Sequence, residues 1–214
     1  MRQIFALDGP VNAALGKIAD IVVCNVMFLL LSLPVFTIGA SLTGLYTAMQ
    51  MIAGGTEPPL IVKVFWIGFY KNFKQATVVW LLCLLVIAFL GAFYWAITLL
   101  PPEFFAMYRV TFIILCIVFY MGFQYLFPMT ARYRMKTGHL LKNAWLLSVA
   151  ALPWTFLGIA LTVAAVFITF FMDPTAFGTM ISILVFGYFS VQAYFKTLFF
   201  RRAFRRLQPQ QGKE

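Results

Sequence analysis

Long apolar stretches separated by short, charged connections dominate the hydrophobic pattern of this chain. The first stretch runs from residue 21 to residue 56 without a charged side chain. As one straight helix it would extend about 54 Å, against a bilayer hydrocarbon core of about 30 Å, so it must bend, tilt or double back. Pro34 is the expected break because proline removes a backbone donor. The pattern therefore predicts a broken first region over about residues 18–53.

Four more apolar runs follow, each long enough to cross a bilayer as a helix. They cover residues 77–100, 110–130, 144–172 and 177–199. The sequence leaves open whether the first region crosses once, with the N-terminus outside, or turns back as a hairpin, with the N-terminus inside. The run lengths favour the hairpin. We predict an all-α, polytopic membrane helix bundle, a single domain over residues 1–214 with five to six transmembrane helices.

Two shorter segments, residues 8–20 and 60–75, have apolar residues at helical spacing with charged residues elsewhere on the helical wheel. This pattern is typical of amphipathic helices that lie in the head-group plane of a membrane. In the second segment the apolar stripe consists of Val62, Phe65, Trp66, Phe69 and Phe73. We therefore expect two short interfacial helices beside the spanning ones.

Composition favours the same class of protein. Hydrophobic residues make up 63% of the chain and charged residues 10%, whereas a soluble domain carries about 25% charged residues. A chain with so little polar surface cannot cover itself in water. Membrane integration is the expected consequence.

The formal net charge of +10 lies mainly in the connections and in the C-terminal segment. Such a distribution follows the positive-inside rule and favours anionic lipid head groups, not nucleic acid, as the partner of these cations. We expect a multi-pass protein of the bacterial cytoplasmic membrane with a cytoplasmic C-terminus. The predicted basic, lipid-contacting residues are Lys71, Lys74, Arg132, Arg134, Lys136, Arg201, Arg202, Arg205 and Arg206.

Candidate chemistry is sparse. The middle of each apolar run lacks ionisable residues, which proton relays and ion-coupled carriers place there. A membrane-embedded enzyme would have to bring together Lys17, Asp20 and His139, the single histidine of the chain. No motif of a hydrolase, metalloprotease or nucleotide-binding loop occurs. We predict no catalytic, cofactor or metal site, and a protein that is not an enzyme.

Small residues recur at four-residue spacing in two of the predicted spans. Flat stripes of this kind let helix backbones approach closely in lipid. They serve either internal helix packing or docking of another membrane protein. The stripes consist of Ala40, Gly44 and Ala48 in the first region, and of Ala88, Ala92 and Ala96 in the second.

Polar side chains within the apolar runs mark a second candidate region. Buried in a bilayer, such groups bond to neighbouring helices or line a water-filled cavity, and a broken helix offers free backbone groups at the same depth. Structural hydrogen bonding and recognition of a small ligand are the two interpretations. The region comprises Asn25, Ser32, Pro34, Thr37, Gly39, Thr43 and Gln124.

The first 90 residues or so resemble the YesL family of small bacterial membrane proteins. The matching features are Asp8, Pro10, KIAD at 17–20, Asn25, SLPVFTIGA at 32–40, Tyr46 and NFKQA at 72–76. The resemblance implies no catalytic residues, because the family has no accepted activity. Its members are often encoded beside carbohydrate ABC importers, which implies an accessory role in sugar uptake with importer permease subunits or a second copy as partner. A bundle that itself binds or conducts a small neutral solute is the alternative.

Overall fold

The computed structural model describes residues 10–55, 60–171 and 187–207. Every regular element in those ranges is a helix, which confirms the all-α prediction. We number the helices α1 to α8, with a short 3-10 helix, Val35–Thr37, between the first two. They are α1 Pro10–Leu31, α2 Ile38–Ala53, α3 Ile61–Lys71, α4 Phe73–Thr98, α5 Pro102–Arg132, α6 Thr137–Ala150, α7 Leu152–Phe171 and α8 Tyr188–Leu207.

Three segments in the described ranges are long and apolar enough to cross a membrane: Val35–Ala53, Phe73–Thr98 and Met107–Arg132. A fourth is added if α6 and α7 count as one bent span. The protein thus has the helices of a membrane protein, but the described residues supply three or four candidate spans and not the predicted five to six. The predicted run 177–199 begins outside the described residues.

The first apolar region is interrupted around Pro34, where the sequence predicts a break. Helix α1 ends at Leu31, and Pro34 itself is extended, with φ −76° and ψ 119°. The hydroxyl oxygen of Thr37 lies 2.5 Å from the carbonyl oxygen of Leu31 and 2.7 Å from that of Pro34. A helix end leaves its last carbonyls without helical donors, so Thr37 stabilises the break by supplying one.

The predicted crossing over residues 144–172 is not one straight helix, because the chain bends by 96° between α6 and α7. Pro153 follows the bend and has no N–H to continue the hydrogen bonding of α6. The Thr155 hydroxyl donates to the carbonyl of Ser148 at 2.7 Å, in place of the missing helical bonds. The apolar run is therefore two helices joined at Ala151.

Of the two predicted interfacial helices, the second is a separate short helix, α3, and the first is not a separate element. Residues 10–20 form the first half of α1, and the segment 60–75 is divided between α3 and α4 at Asn72. In α3, Phe65 and Phe69 are buried against the core, whereas Trp66 on the same predicted stripe is exposed. The stripe is split because one side of α3 packs on α2.

Helix α2 lies at the centre of the fold and is crossed by α3 at unusually short distance. A Cβ added to Gly44 would lie 2.9 Å from the carbonyl oxygen of Phe65. A Cβ on Gly68 would lie 2.6 Å from the Cβ of Thr47 and 3.1 Å from the Cα of Gly44. Only glycine fits between backbones this close, so the sequence encodes this crossing through its glycines.

Both ends of the segment that contains α2 attach to the α4–α5 pair. The indole of Trp80 donates to the carbonyl of Val35 at 2.7 Å, and the side-chain amide of Gln50 donates to the carbonyl of Pro128 at 2.8 Å. The rings of Trp80 and Phe127, the latter next to Pro128 in sequence, lie 6.3 Å apart. The 16 residues of α2 span about 24 Å. Helix α2 is therefore attached to the α4–α5 pair near both of its ends.

Candidate functional site

The broken segment of the predicted polar region is held against the first turns of α4. Trp80 covers it, bonding to Val35 and packing its ring 6.4 Å from Phe123. A Cβ on Gly39 would lie 2.5 Å from the carbonyl oxygen of Ala76 and 2.6 Å from the Cβ of Trp80. The segment is thus closely packed, and Gly39 is needed for the approach of the two backbones.

The polar residues predicted to form one region bond to different parts of the fold. Asn25 accepts from the backbone of α8 and Thr43 donates to the carbonyl of Gly39 at 2.9 Å. Gln124 donates to the carbonyl of Thr155 at 3.3 Å, and Thr37 bonds within the break. The hydroxyl of Ser32 has no hydrogen-bond partner among the described residues. These contacts do not bring the four bonded side chains together.

Asn25 caps α8 from another helix. Its side-chain oxygen accepts from the backbone N–H groups of Phe189 and Ser190, both at 3.1 Å, in the first turn of α8. A capping oxygen satisfies donors that have no partner inside a helix. The contact therefore fixes the start of α8 to the middle of α1.

Replacing Asn25 with alanine should lower the free energy of unfolding by about 1–2 kcal/mol, the typical loss of a helix cap. Asn143→Ala is the matched control, because Asn143 makes only a 3.6 Å contact with the sulfur of Met135 in the described part of the chain. Unfolding of both variants in detergent micelles, followed by circular dichroism, measures the difference. Equal stability of the two variants would contradict the capping role.

The two small-residue stripes lie in opposite environments. Ala40, Gly44 and Ala48 are buried in the core around α2, whereas Ala88, Ala92 and Ala96 are exposed on α4. The first stripe packs against neighbouring helices inside the fold. The second faces outward, and Gly91 beside it has no atom within 4 Å of an added Cβ.

Two of the basic connections lie together at one end of the bundle. The side-chain amide of Gln75 donates to the carbonyl of Met135 at 2.7 Å. This bond places the start of α4 beside the connection between α5 and α6. The cations brought to this end are Lys71, Lys74, Arg132, Arg134 and Lys136, all of them exposed.

The start of the C-terminal basic segment lies at the same end. The guanidinium of Arg201 donates to the carbonyl of Ala53, the last residue of α2. Cations are favoured at helix C-termini by the helix dipole. Gln50, in the same last turn, bonds to Pro128 in the last turns of α5. The side chains of Arg202, Arg205 and Arg206 lie outside the described residues.

Lys196 is a buried cation that is not among the predicted site residues. It is 5% exposed, and its ammonium donates to the hydroxyl of Tyr120 at 3.1 Å. That hydroxyl lies 2.6 Å from the hydroxyl of Thr162. Tyr120 stands at the midpoint of the candidate span Met107–Arg132. A cation near the end of one apolar run, 177–199, thus lies beside the middle of another, 110–130.

A sequence signal for the burial of Lys196 does exist. It shares one face of α8 with Ala193 and Phe200, three residues before it and four after it, and both are buried. Residues at such spacing occupy the same side of a helix. A lysine within an apolar stripe, five residues before the arginine-rich segment, is a candidate interior cation.

Among the described residues, no group of three histidine, cysteine, aspartate or glutamate side chains is placed to hold a metal ion. His139 lies exposed in the first turn of α6. Lys17 and Asp20 lie on α1.

Comparison with known protein families finds one match within the broken region and α4. Residues 21–94 match a family model described as a protein of unknown function, DUF624. No curated protein matches the chain, and no solved structure does. The matched segment contains the break at Pro34, all of α2 and α3, and most of α4. The similarity thus covers the closely packed part of the fold. The family that it indicates is an uncharacterised domain family.

Proposed function

We propose that the chain is a non-enzymatic accessory subunit that docks on another membrane protein, in carbohydrate uptake by an ABC-type importer. The observation that carries the docking role is the outward-facing stripe of Ala88, Ala92 and Ala96 on α4. Small residues on a helix surface allow close helix–helix contact in lipid, where no hydrophobic drive brings helices together. The link with carbohydrate uptake rests on the resemblance to the YesL family.

The surroundings of the stripe support a docking surface. Helix α4 exposes the large side chains of Leu85, Phe89 and Trp95 beside the stripe. Gly91 has no side chain and no neighbouring atom within 4 Å of an added Cβ, so the backbone of α4 is accessible there. An incoming helix could therefore approach the backbone of α4 while larger side chains flank it. The occupant we propose is a transmembrane helix of an importer permease, with a second copy of this chain as the other candidate.

We further propose that the basic end faces the bacterial cytoplasm and binds anionic lipid head groups. Five exposed cations from two connections meet there, together with Arg201. Clustered lysine and arginine side chains at a membrane surface favour both this orientation and these lipids. A docked importer would then present its nucleotide-binding subunits on the same side.

Ala92→Leu tests the docking role, with Ala150→Leu as control because Ala150 is an exposed alanine at the end of α6. We expect Ala92→Leu to reduce the permease recovered after crosslinking in the native membrane by about tenfold, through steric overlap at the contact. Ala150→Leu should recover as much as wild type. Recovery of the wild-type chain only as a solitary monomer would contradict the proposal.

A further inference from the structure

We propose that Lys196 is the charged centre of a binding site for a small oxyanion, a carboxylate or phosphate group, between α5, α7 and α8. The site is defined by Lys196, Tyr120 and Thr162, one from each helix, joined by hydrogen bonds of 3.1 and 2.6 Å. It is independent of the docking surface on α4. It lies apart from the polar residues around Pro34.

The charge of Lys196 requires compensation. A buried ammonium is costly unless it is paired, and ionisable groups at the depth of a membrane span commonly mark ligand or ion sites. The partner that the described residues provide is the neutral hydroxyl of Tyr120, whose ring also lies 5.6 Å from the ammonium. Among the residues whose side chains the structure describes, the one acidic residue is Asp20, which lies on α1. An anion is the chemical species that would complete this environment.

Further buried donors lie near Lys196 on α8. A lysine ammonium carries three N–H donors, and the hydrogen bond to Tyr120 uses one. The hydroxyl of Thr197 and the side-chain amide nitrogen of Gln192 are buried without a hydrogen-bond partner among the described residues. Both residues lie within one turn of Lys196 on α8. Ammonium, hydroxyl and amide donors together match the several acceptor lone pairs of an oxyanion.

An unpaired hydrogen-bond acceptor lies on α5, one turn from Tyr120. The side-chain oxygen of Gln124 is buried without a partner in the described part of the chain, and Gln124 is 3% exposed. It faces α7, at 2.5 Å from the position that a Cβ on Gly158 would take. An unpaired acceptor one turn from Tyr120, the partner of the ammonium, suits a ligand that carries a hydroxyl group as well as an anionic one. Glucuronate, which has both groups, is therefore a suitable probe beside inorganic phosphate.

The experiment uses the full chain in phosphatidylcholine nanodiscs and calorimetric titration with glucuronate and with inorganic phosphate. Wild type should bind at least one of them saturably, and Lys196→Met should weaken that binding by roughly tenfold or more, the usual loss for a hydrogen bond to a charged group. Lys63→Met, which removes an exposed cation on α3, should bind as wild type does. Glucose, which lacks the charge, should not bind.

Nanodiscs that contain phosphatidylglycerol distinguish the source of the anion. Retention of this lipid in native mass spectrometry, lost in Lys196→Met, would assign the site to a lipid phosphate and not to a free solute.

If Lys196→Met does not fold, Tyr120→Phe removes the hydroxyl alone and should weaken binding several-fold. Absence of saturable binding of glucuronate, phosphate and phosphatidylglycerol by wild type would overturn the proposal. Equal binding by wild type and a folded Lys196→Met would overturn it as well.

Discussion

Replacing Trp80 with alanine is expected to lower the free energy of unfolding by about 3–5 kcal/mol, the range for truncating a large buried aromatic side chain. Trp80 is 9% exposed, and its indole holds the broken segment through the 2.7 Å bond to Val35. Its ring also packs against Phe123 and Phe127. Removal therefore opens a cavity and leaves the carbonyl of Val35 without this donor. Titration of the micelle-bound protein with a denaturing detergent measures the change.

Trp95 provides the control on the same helix. It is 66% exposed, so Trp95→Ala should change the free energy of unfolding by no more than about 0.5 kcal/mol, as for other surface substitutions. Trp80→Phe keeps most of the ring and removes the indole donor, and should lose about 1 kcal/mol. A Trp80→Ala protein as stable as Trp95→Ala would refute the anchoring of the broken segment on α4.

Gly39→Ala is expected to destabilise the fold by about 1–3 kcal/mol, the cost of overpacking a tight interior. The added methyl group would meet the backbone of Ala76 and the Cβ of Trp80, and neither atom can move without shifting α4. Helix propensity acts in the opposite direction, because alanine stabilises a helix relative to glycine by about 0.5–1 kcal/mol. The steric cost should exceed that gain.

Gly91→Ala separates the two effects. Gly91 lies on α4 with no atom near an added Cβ, so only the helix-propensity gain of about 0.5–1 kcal/mol applies. The two substitutions should therefore change the free energy of unfolding with opposite signs. A stabilising effect of Gly39→Ala would show that α2 and α4 are not in close backbone contact.

The long helices were predictable because apolar length and proline carry most of the information. The run 77–100 corresponds to α4, which spans Phe73–Thr98, and the helix break occurs around Pro34 as expected. Pro153 gives the same signal in the run 144–172, yet the chain bends there by 96°. Proline permits a range of kinks. The apolar pattern does not contain the size of this bend, which is accompanied by the hydrogen bond from Thr155 to the carbonyl of Ser148.

The choice of helix face was not predictable from periodicity. The spacing of Phe65, Trp66 and Phe69 indicates a helix correctly, but only Phe65 and Phe69 face the core. Likewise, the stripes that begin at Ala40 and at Ala88 look alike in sequence, although one is buried and the other exposed. Which side of a helix packs inward depends on the arrangement of its neighbours, which a single sequence does not contain.

The candidate sites show the same limit. In the sequence, Lys196 stands shortly before the arginines of the C-terminal segment and resembles one of these surface cations. Its burial depends on Tyr120 and Thr162, which lie 76 and 34 residues earlier in the sequence. Asn25 bonds to the backbone of α8, 164 and 165 residues later in the sequence, and such a long-range partner cannot be named from the sequence.

Cysteine labelling in intact cells tests most directly whether this chain spans the membrane with its basic end in the cytoplasm. Single cysteines replace Leu100, between α4 and α5, or Arg134, between α5 and α6, in a variant whose three native cysteines are alanine. Both positions are exposed. A membrane-impermeant maleimide should label Leu100→Cys from outside and Arg134→Cys only after lysis. Labelling of Arg134→Cys in intact cells, or of neither position until lysis, would contradict the account.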